Sequence, residues 1–154
     1  MASILRRWLR RLLRRKNPEP ELQEALQSAI DTLTLRFRQA GIDHAIIGGV
    51  AVAIHGMVRA TVDLDLLVDS ATADVADGIL CEIGFERLSR NRVFGNYLLG
   101  PLRVDLLFTQ GRHTRDMLGR ATVVTLRRGT VKIARPEDII GLKLQALANS
   151  PERT

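Results

Sequence analysis

Asp63 and Asp65 alternate with leucines in the run Asp63-Leu64-Asp65-Leu66-Leu67-Val68, and this pattern offers chemistry. In an extended strand successive side chains point to opposite faces, so the two aspartates share one face while Leu64 and Leu66 turn into a core. Two carboxylates on one face of an otherwise apolar strand repel each other and lose hydration unless a cation sits between them. Carboxylate oxygen suits a hard cation, Mg2+ with Mn2+ as the alternative. Upstream, the apolar pair Ile46-Ile47 runs into Gly48-Gly49. A glycine pair where a strand turns into a helix lets the backbone approach a ligand and point N–H groups at a phosphate. A phosphate cradle beside acidic metal ligands reads as nucleotide chemistry. The competing readings are a pair of solvent-facing strand acids and a plain turn.

The full stretch reads Gly48-Gly49-x-Ala51-x-x-x-His55-Gly56-x-x-Arg59-x-Thr61-x-Asp63-x-Asp65. It resembles the signature of the DNA polymerase β-like nucleotidyltransferase superfamily and, within it, of the AbiEii-type and minimal nucleotidyltransferases. Those are bacterial and archaeal families often found in toxin–antitoxin pairs. The resemblance runs from about Gly41 to Ala148.

It implies an α/β fold, a small mixed sheet flanked by helices, and transfer of a nucleoside monophosphate from an NTP to a hydroxyl with release of pyrophosphate. A third carboxylate is implied on a strand beside the Asp-x-Asp strand. Asp105, in Arg103-Val104-Asp105-Leu106-Leu107-Phe108, is the best match, since it emerges opposite Val104 and Leu106. Asp63, Asp65 and Asp105 would then hold two Mg2+ ions. Gly48 and Gly49 would hold phosphates, and Arg59 and Thr61 fall in the family's Arg-x-Thr-x-Asp arrangement. Arg59 reads equally well as one half of a structural ion pair; His55 reads as a structural histidine ahead of a catalytic base. Lys143, in Ile139-Ile140-Gly141-Leu142-Lys143-Leu144, matches a final-helix lysine that neutralises the triphosphate; its rival reading is a surface lysine. The implied acceptor is a protein side chain or an RNA 3′ end.

Relatives in these families continue into another helix with Asp-x-x-Asp, which the sequence to Thr154 does not contain. The expected explanations are a shortened gene, a fragment of a longer protein, or a partner that supplies the helix. The alternative function is therefore a catalytically weak or inactive nucleotidyltransferase-fold binding module acting in a toxin–antitoxin complex.

The elements that must position these residues follow from periodicity and punctuation. Leu22, Leu26, Ile30, Leu33 and Phe37 predict a helix over 21–39, stopped by Gly41. Strands are expected over 44–47 and 61–68, with a short helix over 49–55 between them, and a further helix over 72–83 stopped by Gly84. A hairpin is expected from strands 85–88 and 93–99, with Gly100-Pro101 turning the chain into a strand over 102–108. No element is assigned to 112–118. A second hairpin joins 121–126 to 130–134, and Pro136 opens a last helix at a position where proline is tolerated.

With 154 residues, 45% hydrophobic and 26% charged, the chain has room for one globular domain with a real core. The net charge of +6 is concentrated at the start, in Arg6, Arg7, Arg10, Arg11, Arg14, Arg15 and Lys16; the rest is close to neutral. Residues 1–16 read as a basic amphipathic helix, with Ile4, Leu5, Trp8, Leu9, Leu12 and Leu13 on one half. Such a helix could contact an anionic membrane surface or nucleic acid. Asn17-Pro18-Glu19-Pro20 reads as a linker to a domain over 21–154. A third reading of the whole protein is a membrane- or nucleic acid-binding protein whose function lies in this helix. No apolar run approaches the ~20 residues a membrane span needs, and the expected location is the cytoplasm, peripheral at the inner membrane surface. The single cysteine, Cys81, excludes an intramolecular disulfide and is expected to be buried and inert.

Overall fold

In a computed structural model, residues 19–54, 63–126 and 129–149 are described. The first helix, α1 (Glu19–Gln39), begins at Glu19 rather than Glu21, so Pro20 stands in its first turn instead of in a linker. Ala25, Leu26, Ala29, Ile30, Leu33 and Phe37, three and four apart, are its buried stripe. There follow β1 (His44–Ile47), α2 (Gly48–Ile54), β2 (Asp63–Val68), a 3-10 turn (Ser70–Thr72) and α3 (Ala73–Ile83). Then come β3 (Glu86–Arg90), β4 (Phe94–Leu99), β5 (Leu102–Phe108), α4 (Gly111–Gly119), β6 (Thr122–Leu126), β7 (Gly129–Ile133) and α5 (Pro136–Asn149).

The seven strands form one mixed sheet in the order β3-β4-β5-β2-β1-β7-β6. β2 lies parallel to β5, and β1 parallel to β7, while β1 runs antiparallel to β2. The fold class expected from the sequence is therefore the observed one. The central strands alternate as a half-covered sheet should. Leu64, Leu66, Val104, Leu106 and Tyr97 enter the core under α1 and α3, while Asp63, Asp65, Asp105, Asn96 and Leu98 are only half-buried, on the other face. β1, buried at every position, is covered on both faces.

Three further local expectations are changed by the structure. Residues 112–118, left without an element, lie in α4; its buried pair Met117 and Leu118 is too short a stripe to register as periodicity. The first hairpin turns later than expected. Ser89 and Arg90 belong to β3, and the Asn91 side chain makes the turn by accepting the amides of Val93 (2.7 Å) and Phe94 (2.9 Å). A register shift between Arg87 and Ser89 accompanies it. Cys81 is exposed, not buried, because α3 packs through Ala76, Asp77, Ile79, Leu80 and Ile83, and position 81 falls on the outer side. Gly84 ends α3 as expected, with φ 117° and its amide reaching back to Leu80 and Cys81.

Two ion pairs pin the flanking elements. Asp77, buried on α3, accepts the Tyr97 hydroxyl at 2.7 Å and Arg87 Nε at 2.8 Å. Burial alone would raise its pKa, but the bonds from Arg87 and Tyr97 outweigh that and hold it below the usual carboxylate range. At the other end, Arg120 donates to buried Asp138 from Nε and Nη2, at 2.8 and 2.5 Å, and ties the entry to β6 to the first turn of α5.

The basic segment 1–16 lies outside the described residues. Among the described residues no helix is long and apolar enough to cross a membrane.

Candidate active site

β2 and β5 are paired in parallel register, so Asp63 lies opposite Arg103 and Asp65 opposite Asp105. Adjacent parallel strands place matched residues on the same face, and the alternation that buries Leu64, Val104 and Leu106 drives these four polar side chains to the other. The register sets the Asp65 carboxyl beside that of Asp105. Burial first, then the charges of Asp105 and Asp63, push the Asp65 carboxyl up to about 6, with Arg103 opposing them. The register thus brings all three sequence-predicted aspartates into one electrostatic unit.

Gly48 closes the site from the side of β1. It adopts φ 69°, a left-handed conformation that side chains disfavour, and an added Cβ would stand 2.2 Å from Asp65 Oδ2. Glycine is required there by the carboxylate as much as by the turn. Gly49 follows within α2. Both glycines are expected to serve phosphate approach; the contact that constrains Gly48 is with Asp65.

Arg103 is not among the site residues expected from the sequence, yet it joins them. Its Nε lies 3.2 Å from Asp105 Oδ1, and it also interacts electrostatically with Asp63 and Asp65. The signal was available: a residue two before Asp105 on a strand must share its face. Of the remaining candidates, Arg59 and Thr61 lie outside the described residues, as does His55. Lys143 falls on α5, and its side chain is not among those described.

The donors offered here are carboxylate oxygens, the type a hard divalent cation prefers, and Asp105 and Asp63 both stand near enough to Asp65 to raise its pKa. The trio is not closed into a finished ligand cage. Among the described residues no three His, Cys, Asp or Glu side chains are grouped so as to hold a metal ion.

No protein-family model matches the sequence. No curated protein matches it either. Solved structures do. ANT(2")-Ia in complex with adenylyl-2"-tobramycin superposes with a TM-score of 0.64 at 14% identity, over 80% of this chain and 77% of that one. The Thermotoga maritima protein TM1012, assigned as a nucleotidyltransferase, gives 0.63 at 15% identity over 86% and 89%. The fold is that of the nucleotidyltransferases. An antigenic nucleotidyltransferase-like protein from Paracoccidioides brasiliensis shares the fold at 25% identity, with a TM-score of 0.56 over 82% of this chain and 68% of that one. Within this nucleotidyltransferase fold, the carboxylates occupy adjacent central strands beside the glycine turn that follows β1.

Proposed function

We propose that the protein is a metal-dependent nucleotidyltransferase that moves a nucleoside monophosphate from an NTP to an acceptor hydroxyl. The observation that carries this reading is the register of β2 on β5, which sets Asp65 against Asp105 with Asp63 in electrostatic reach, in a fold shared with nucleotidyltransferases. In the reaction the hydroxyl oxygen bonds to the α-phosphorus, the bond from that phosphorus to the bridging oxygen breaks, and pyrophosphate departs. Asp63, Asp65 and Asp105 would hold the divalent cation, Mg2+ or Mn2+, which when bound neutralises phosphate charge and lowers the pKa of the attacking hydroxyl.

The chain's own contribution is placement. Strands β2 and β5 fix the carboxylates on a rigid support, more accurately than a loop could. Gly48, without a side chain, leaves Asp65 its room; Gly48 and Gly49 together would let the backbone approach the triphosphate. Arg59, Thr61 and Lys143 are the further groups we assign to the nucleotide. We place the protein in the AbiEii-type and minimal branch, in the cytoplasm, with a toxin–antitoxin partner. Residues 1–16 would supply a contact to anionic membrane or nucleic acid.

Protein and RNA 3′ ends are the acceptor classes proposed. ANT(2")-Ia, captured with adenylyl-2"-tobramycin, adds a small-molecule hydroxyl to those worth testing. The experiment is incubation of the purified protein with each α-labelled NTP, Mg2+ and cell extract, followed by separation of protein, RNA and small molecules. Label in one fraction, dependent on Mg2+, supports the reading and names the acceptor class. No label in any fraction with any NTP favours the inactive binding module.

A further inference from the structure

Among the described residues, Arg103 is a cation beside the carboxylates that the proposed chemistry does not use. It sits opposite Asp63 in the strand register, and its Nε meets Asp105 Oδ1 at 3.2 Å. Its positive charge also acts on Asp63 and Asp65. A guanidinium cannot shed its proton to become neutral, so any divalent cation that takes the Asp105 oxygens must compete with a fixed positive charge. Two features make the competition reversible. Arg103 is 46% exposed and Asp105 29% exposed, so the pair is weak, and the long side chain has solvent to swing into.

We propose that Arg103 is a built-in counter-ion for the carboxylate trio, which holds Asp105 when no metal is bound and must swing aside when a divalent cation enters. Arg103 is thus a positioning residue that sets the cation concentration at which the site fills. This inference rests on the metal-dependent reading above.

The test uses the full chain and Mn2+ alone as probe, with affinity measured by titration calorimetry or by loss of the free-ion paramagnetic signal. Arg103→Met keeps the aliphatic stem and removes the charge. It should bind Mn2+ about two- to fivefold more tightly than the parent, the range an exposed ion pair supports. Arg103→Lys keeps the charge and should stay near the parent. Affinity unchanged or weakened in Arg103→Met overturns the proposal and leaves the metal reading standing, provided that Asp65→Asn abolishes Mn2+ binding. A parent protein with no Asp65-dependent Mn2+ binding overturns both.

A second measurement needs no substitution at Arg103. In the 15N-labelled parent, the Arg103 Nε–H resonance should move on titration with diamagnetic Mg2+, in step with site filling. A resonance that stays put while Mg2+ binds overturns the proposal.

Discussion

Asp65→Asn isolates the electrostatics of the site, and its effect on stability can be worked out in advance. In the folded protein burial first, then Asp105 and Asp63, push the Asp65 carboxyl up to about 6, against an ordinary value of 3.8. Between those two values the folded state keeps a proton that the unfolded chain has released. The stability this confers is therefore fully present below the unfolded value and is lost as pH rises through the folded one. The gap corresponds to roughly 3 kcal/mol at 1.36 kcal/mol per pH unit. Because Asp65 is only half-buried, solvent screening brings the expected effect to about 1–3 kcal/mol. Asparagine does not titrate, so the variant should match the parent near pH 4 and exceed it by that amount near pH 7.5. The assay is urea unfolding of both proteins between pH 4 and pH 8 in the presence of a chelator. A stability difference that does not change with pH would refute the reasoning, because it would mean that neither burial nor the neighbouring carboxylates raise the Asp65 pKa.

Other expectations follow from the same contacts. With chelator replaced by excess Mg2+, the melting temperature of the parent should rise while that of Asp65→Asn stays fixed, since only a folded site binds the ion; equal shifts would place the ion elsewhere. Gly48→Ala forces a side chain into φ 69° and against Asp65 Oδ2, so thermal melts should show a loss beyond the ~1–2 kcal/mol of the backbone term alone, together with weaker Mn2+ binding. Asp138→Ala removes a buried carboxylate that Arg120 holds below the usual range by hydrogen bonding, and denaturant titration at pH 7 should show a loss of about 1–3 kcal/mol. That loss should fade on acidification, because the parent's advantage disappears as pH falls through the lowered pKa. Deleting residues 1–16 should leave the melting temperature nearly unchanged and abolish salt-sensitive co-sedimentation with anionic vesicles or RNA; a truncated protein that unfolds would show that Leu5, Trp8 and Leu9 belong to the core.

Much of this arrangement was legible in the residues. β1 and β5 fall at the boundaries that their apolar runs and flanking turn residues predict, because short buried strands are bounded sharply by glycine and proline. The alternation of Asp63 with Leu64 and of Asp105 with Val104 told which face each would occupy, and the sheet respects it. What spacing could not supply was the pairing of β2 with β5. Strand order is set by long-range packing, and it is the pairing that brings Asp65 against Asp105 and Arg103 against Asp63. The close approach of Gly48 to Asp65 is hidden for the same reason, since a glycine pair reads alike whether the space serves a phosphate or a side chain. Cys81 misled because neighbouring apolar residues on a helix need not share its face.

Transfer of the α-labelled phosphate of an NTP by the purified full chain, compared between parent, Asp63→Asn and Asp65→Asn, tests the central claim most directly. Cell extract supplies the acceptor, and each reaction is run with Mg2+ and with chelator. The account predicts Mg2+-dependent label on a macromolecular or small-molecule acceptor in the parent and none in either variant, although both variants remain folded by thermal melt. Label transferred at the parental rate by either asparagine variant would contradict it.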